Sequence, residues 1–131
     1  MRLILPVIFL SLFVAFNEAC AQDDQFDQIV TAVKEGNSKS LAAHFGATVE
    51  LSLPDHENTY SDSQGEMIMR DFFKKYPPSG CTIIQKGTTN TSTRFAICEF
   101  TSGNAQFQLY IHLQKEKDEF LIRKIKFDEK K

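Results

Sequence analysis

The chain has 131 residues, with 15 basic against 17 acidic side chains and a net charge of −2. A near-neutral balance without a basic face argues against a nucleic-acid backbone as partner. The length suits one compact domain that can bury a core without metal or disulfide staples.

The first segment has a positive start (Met1, Arg2), an apolar run from Leu3 to Phe16, and then Ala19-Cys20-Ala21. This is the layout of a secretory signal peptide cut after Ala21. The run of 14 residues is shorter than the about 20 that a spanning helix needs, and Pro6 would kink one. The expected organisation is therefore a signal peptide over residues 1–21 and a single domain over 22–131. That domain is secreted or periplasmic and has no transmembrane segment. A lipid-carrying Cys20 is the competing reading. Asn17 and Glu18 oppose it, because they stand where a lipoprotein signal has an aliphatic and a small residue. Loss of Cys20 leaves two cysteines, Cys81 and Cys98, in a compartment where disulfides persist. They read either as a bridge or as two small buried thiols.

Phe26, Ile29, Val30 and Val33 recur at i, i+3, i+4 and i+7, which predicts a helix with one apolar stripe, stopped by Gly36. Ser38 is placed to cap a second, shorter helix carrying Leu41, Ala42 and Phe45, with Gly46 as its stop. His44 near its end is expected to benefit from the negative pole of the helix dipole. From Thr48 the period changes to two. Val49, Leu51 and Leu53 alternate with Glu50 and Ser52 in a strand that Pro54 halts. The polar stretch Asp55 to Thr59 reads as a loop. Ser61-Asp62-Ser63-Gln64 has capping-box spacing and opens a helix carrying Ile68, Met69, Phe72, Phe73 and Tyr76, which Pro77-Pro78 ends. Gly65 in its first turn costs roughly 1 kcal/mol relative to alanine.

Four β-rich segments follow: Cys81 to Gly87, Thr91 to Thr101, Ala105 to Lys115 and Glu119 to Phe127. Short turns at Thr89-Asn90, Gly103-Asn104 and Lys117-Asp118 predict an antiparallel meander. With the first turn at Thr89-Asn90, paired residue numbers sum to 179. Cys81 then faces Cys98, Ile83 faces Ala96 and Gln85 faces Arg94, and a bridge depends on that register. Along the third segment Phe107, Leu109, Ile111 and Leu113 form an apolar face. Gln106, Gln108, Tyr110 and His112 form the other, which meets either solvent or a lined cavity.

Helix, helix, strand, helix and four strands is the order of an α+β cone, with helices packed into a curved antiparallel sheet. The stretches Gly36-Asn37 with Leu41 and Phe45, Val49-Glu50-Leu51-Ser52-Leu53-Pro54, Tyr60-Ser61, Asp71-Phe72-Phe73 with Pro77-Pro78, Gly87, and Arg94-Phe95-Ala96-Ile97 resemble a family. Its members are small secreted bacterial proteins of unknown function with the nuclear-transport-factor-like, or ketosteroid-isomerase-like, fold. The resemblance covers nearly all of residues 22–131. It implies a cone-shaped, cystatin-like roll and leaves the activity open, since this fold serves isomerases, dehydratases, cyclases and non-catalytic modules alike. Cys81 and Cys98 depart from the pattern, standing where an apolar and a small residue are expected.

Enzymes of this fold hold a titratable group inside the cone, where burial tunes it for proton transfer. Cavity candidates here are Tyr110, His112, Arg94 and His44, but no Asp base stands on an inward strand position. The cluster Asp55-His56-Glu57 lacks convergent partners for a metal. No catalytic residue, metal or cofactor is assigned. The leading expectation is a non-catalytic binding or interaction module with a small-molecule ligand or a protein partner. The alternative is an isomerase or dehydratase-type enzyme using Tyr110 or His112 in the cone. A homodimer through the outer face of the sheet is expected, with Ile84, Phe95 and Ile97 as its apolar contribution.

Overall fold

The computed structural model describes residues 25–130, so the expected signal peptide, its expected cleavage site and Cys20 lie outside the described residues. Helix α1 (Gln25–Lys34) buries Phe26, Ile29, Val30, Ala32 and Val33 on one stripe. It ends at Gly36, whose φ is +66°. The amide N–H of Asn37 donates to the Ala32 carbonyl at 2.9 Å and that of Gly36 to Val33 at 3.0 Å, closing a Schellman turn that only glycine enters without strain. Helix α2 (Ser38–Ala42) is a single short turn capped by Asn37, whose Oδ1 accepts from the Ser40 N–H at 3.0 Å. Asn37, not Ser38, is therefore the cap. Gly46 is not the stop either; it lies within strand β1 (Phe45–Leu53), where a Cβ would come within 2.7 Å of Glu116 Oε2.

The stretch expected as a loop after Pro54 is a strand, β2 (His56–Ser61), paired antiparallel with β1 from Leu53↔His56 to Thr48↔Ser61. It carries no periodic signal because it is an exposed edge strand held by its backbone ladder, and its first four residues face solvent. Helix α3 (Asp62–Lys75) opens on a reciprocal capping box. Ser61 Oγ accepts from the Gln64 N–H at 3.2 Å, and Gln64 Oε1 accepts from the Ser61 N–H at 3.3 Å.

Strands β3 (Gly80–Asn90), β4 (Thr93–Ser102), β5 (Ala105–Glu116) and β6 (Glu119–Glu129) form the expected meander. The sheet order is β2-β1-β6-β5-β4-β3, and β6 runs parallel to β1. The last strand thus closes against the first, and the helices cover one face of a single sheet of six strands.

The β3–β4 register differs from expectation. The hairpin turns at Thr91-Ser92, where Asn90 Oδ1 accepts from both the N–H and the Oγ of Ser92 at 2.8 Å. Pairs sum to 183 at Asn90↔Thr93, to 182 from Thr88↔Arg94 to Gln85↔Ile97, and to 181 from Ile83↔Cys98 to Gly80↔Thr101. Two irregularities in β3, near Thr89 and at Ile84, each drop the sum by one. Cys81 therefore faces Phe100 and Cys98 faces Ile83. A net displacement of two residues keeps both thiols on the inner face but makes them diagonal neighbours, and both are free.

Candidate functional site

The space inside the cone is filled. Phe72 of α3 stands 4.4 Å from the Phe127 ring, 6.0 Å from Phe107 and 6.1 Å from Phe100, and Tyr76 closes on Phe107 at 4.9 Å. These rings meet at tilted or edge-to-face angles, which aromatic quadrupoles favour. Around them Leu109, Ile111, Leu113, Ile122 and Ile125 are fully buried. Among the described residues the buried polar side chains are the three serines Ser38, Ser52 and Ser102.

The four residues proposed from sequence as cavity candidates divide between the two faces of the sheet. Tyr110 and His112 lie outside. Their strand buries Phe107, Leu109, Ile111 and Leu113 on the inner side, which turns the alternate residues outward. Cross-strand pairing sets two rows over this outer face. One runs Glu50, Lys124, His112, Phe95 and Gly87, and the other Ser52, Lys126, Tyr110, Ile97 and Gln85. Between the rows lies a shallow depression of about 460 Å³, with Phe95, Ile97, Tyr110 and His112 as its floor and Lys124 and Lys126 on one side. Gly87 has its place here because the Phe95 ring lies across it, where a Cβ would meet ring carbons at 2.5 Å. Lys124 pairs with Glu50 at 3.2 Å. The two lysines are the basic flank of this depression.

Arg94 and His44 lie apart from that face, at the end of the domain where α1 meets β6. Gln25 Nε2 donates to the Phe120 carbonyl at 2.8 Å and lies 3.4 Å from His44 Nδ1. The His44 carbonyl accepts from the Ile122 N–H at 2.7 Å. Burial lowers the His44 pKa below the ordinary value of 6.5, so desolvation outweighs any stabilisation from the end of the very short α2. The Arg94 guanidinium carbon sits 3.9 Å from the centre of the Phe120 ring. Beside it is a depression of about 320 Å³ lined by Phe26, Lys86, Gly87, Thr88 and Arg94. Sequence reasoning found Arg94 but not Lys86 or Phe26, because their meeting depends on α1 packing against β3.

Asp55 and His56 form an exposed pair, Oδ1 to Nδ1 at 3.0 Å, with Lys75 Nζ at 3.7 Å from Asp55 Oδ2. Desolvation pushes the Asp55 pKa up, but a backbone hydrogen bond, Lys75 and His56 together outweigh it and hold the carboxyl below its ordinary value. Among the described residues no group of His, Cys, Asp and Glu is placed to hold a metal ion, and no helix is long and apolar enough to cross a membrane. The Cys81 and Cys98 side chains are hydrogen-bonded to each other, and donation to Cys81 together with burial pushes the Cys98 thiol pKa up.

The family described as "Domain of unknown function (DUF4783)" matches residues 26–128. The chain belongs to it. A DUF4783 protein from Bacteroides uniformis is similar over 80% of this chain and 96% of its own, at 22% identity and a TM-score of 0.76. A DUF4783 protein from Bacteroides ovatus covers 79% and 94%, at 25% identity and a TM-score of 0.74. A wider neighbour, an NTF-2 like protein of unknown function from Silicibacter pomeroyi, covers 80% and 89% at 11% identity and a TM-score of 0.59. Among curated proteins nothing matches the chain. The DUF4783 assignment and these neighbours confirm the nuclear-transport-factor-like, cystatin-like fold that the sequence resembles.

Proposed function

We propose that this DUF4783 domain is a non-catalytic interaction module, exported to the periplasm or the exterior, that self-associates through the outer face of its sheet. The observation that carries this reading is the reversal of the two faces. The inner face is occupied by packed phenylalanines, while the polar-aromatic residues that an enzyme of this fold would turn inward, Tyr110 and His112, stand outside beside Phe95 and Ile97. A substrate would find neither room nor a buried carboxylate next to these groups, whereas a partner surface would find an apolar floor.

The occupant of that face is a second copy of the chain. The face carries both signs of charge, Glu50 and Glu99 against Lys124 and Lys130, already paired within the protomer. Like can therefore meet like without net repulsion. Five strand spacings of about 4.8 Å and strand lengths of about 33 Å give an area on the order of 800 Å², the share each partner contributes to a stable interface.

Sedimentation velocity of the mature chain at tens of micromolar tests this. A dimer that becomes monomeric in Ile97→Lys is expected, and a monomeric parent protein overturns the reading.

A further inference from the structure

Where the last two turns of α3 meet the turn between β1 and β2, Ile68, Asp71, Phe72 and Lys75 recur at i, i+3, i+4 and i+7 and so share one face of the helix. With Leu53, Asp55, His56 and Tyr76 that face lines a pocket of about 120 Å³. Its walls divide by chemistry. Leu53, Ile68, Phe72 and Tyr76 belong to the core or pack against it, and Asp55, Asp71 and Lys75 are exposed at the rim.

The arrangement already holds a cation. The Lys75 ammonium stands 3.7 Å from Asp55 Oδ2 and 5.5 Å from the centre of the Tyr76 ring, within the about 6 Å over which an aromatic quadrupole attracts a cation. The other oxygen of the carboxylate, Asp55 Oδ1, lies 3.0 Å from His56 Nδ1, which fixes how Oδ2 is presented. Asp71 precedes Lys75 by four residues, the spacing of a helical ion pair. Lys75 pairs with Asp55 instead, and among the described residues Asp71 has no ion-pair or hydrogen-bond partner. Two carboxylates thus share one ammonium at the rim, which leaves a surplus of negative charge there.

The apolar wall decides which kind of cation is favoured. Among the described residues no group of His, Cys, Asp and Glu is placed to hold a metal ion, and a strongly hydrated inorganic ion gains nothing from Leu53, Ile68 or the Tyr76 ring. An alkylated ammonium spreads its charge over an apolar surface and uses both wall and ring, the basis on which aromatic groups recognise quaternary ammonium ligands. At about 30 Å³ for each water-sized group, the pocket takes about four of them, so the ligand is compact rather than drug-sized.

We infer that this pocket binds a compact organic ammonium, held by the Asp55 and Asp71 carboxylates against the Tyr76 ring, and that Lys75 is its intramolecular competitor. The pocket lies beside α3, on the helix side of the sheet, and not on the face proposed for self-association. Either proposal can therefore fail alone.

The test is an NMR titration of ¹⁵N-labelled mature protein with tetramethylammonium chloride, with sodium chloride at equal ionic strength as the salt reference and tert-butanol as a neutral compound of similar shape. Saturable shifts are expected at the amides of His56, Asp71 and Tyr76 with tetramethylammonium alone. Asp71 and Lys75 are exposed, so both can be replaced without disturbing the core. Asp71→Asn should weaken binding about two- to fivefold, the range for an exposed charge pair. Lys75→Met keeps an unbranched apolar stem and removes the competing charge, so it should tighten binding by a similar factor. The inference is overturned by an absence of saturable shifts, by equal shifts with tert-butanol or sodium chloride, by unchanged affinity in Asp71→Asn, or by unchanged or weaker binding in Lys75→Met.

Discussion

Gly65 shows how a local cost in the sequence becomes a requirement of the packing. In the first turn of a helix, alanine is favoured over glycine by roughly 1 kcal/mol. A Cβ at Gly65 would stand 2.8 Å from Val49 Cγ1 and 3.1 Å from Phe45 Cε2, both on β1. The start of α3 therefore approaches the sheet more closely than any side chain permits. Gly65→Ala is expected to lose stability, by roughly 1–3 kcal/mol for an overpacked site, against its helix propensity. A lower urea midpoint at unchanged slope would show this, and a midpoint equal to or above that of the parent would show that β1 yields instead. The same kind of contact explains Gly87, where the partner is the Phe95 ring.

At the scale of elements, what was legible in the sequence was what is encoded locally. The apolar stripe of α1, the Ser61–Gln64 capping box and the alternation along β5 all depend on residues within a few positions of one another. Strand β2 was not legible, because residues that face solvent on both sides leave no pattern. The alternation along β5 distinguishes two faces but does not say which is inside, so the position of Tyr110 and His112 required the structure. The register of β3 was missed for a related reason. Its irregularities lie near Thr89 and at Ile84, and nothing near Ile84 in sequence announces one. Their consequence for the thiols can be measured. Diagonal neighbours on adjacent antiparallel strands have Cα atoms about 7–8 Å apart, beyond the about 6.8 Å that a disulfide normally tolerates. Titration of the denatured, unreduced mature protein should find two reactive thiols at Cys81 and Cys98. Finding none would mean that β3 pairs two residues away from the register observed.

For the molecule as a whole, burial has moved the reactive side chains to the periphery. The cone holds aromatic rings, and the ionisable candidates stand on the outer face of the sheet or at the end of the domain where α1 meets β6. One of them couples to global stability. His44 ties α1, the end of α2 and β6 together through Gln25, the Phe120 carbonyl and the Ile122 amide. Asp27 and Glu35 line the depression beside it. Its pKa in the folded chain is below 6.5 because burial disfavours the imidazolium. The unfolded chain, with an ordinary histidine near pKa 6.5, therefore takes up a proton first as the pH falls. Where the unfolded state binds more protons, stability rises with pH. His44 thus costs nothing above that pKa, and its destabilising effect grows as the pH drops from about 7 toward about 5. His44→Asn removes the titration and keeps an acceptor for Gln25. Urea unfolding across that pH range should show a shallower loss of stability in His44→Asn than in the parent protein, and parallel curves would mean that His44 is solvated in the folded state.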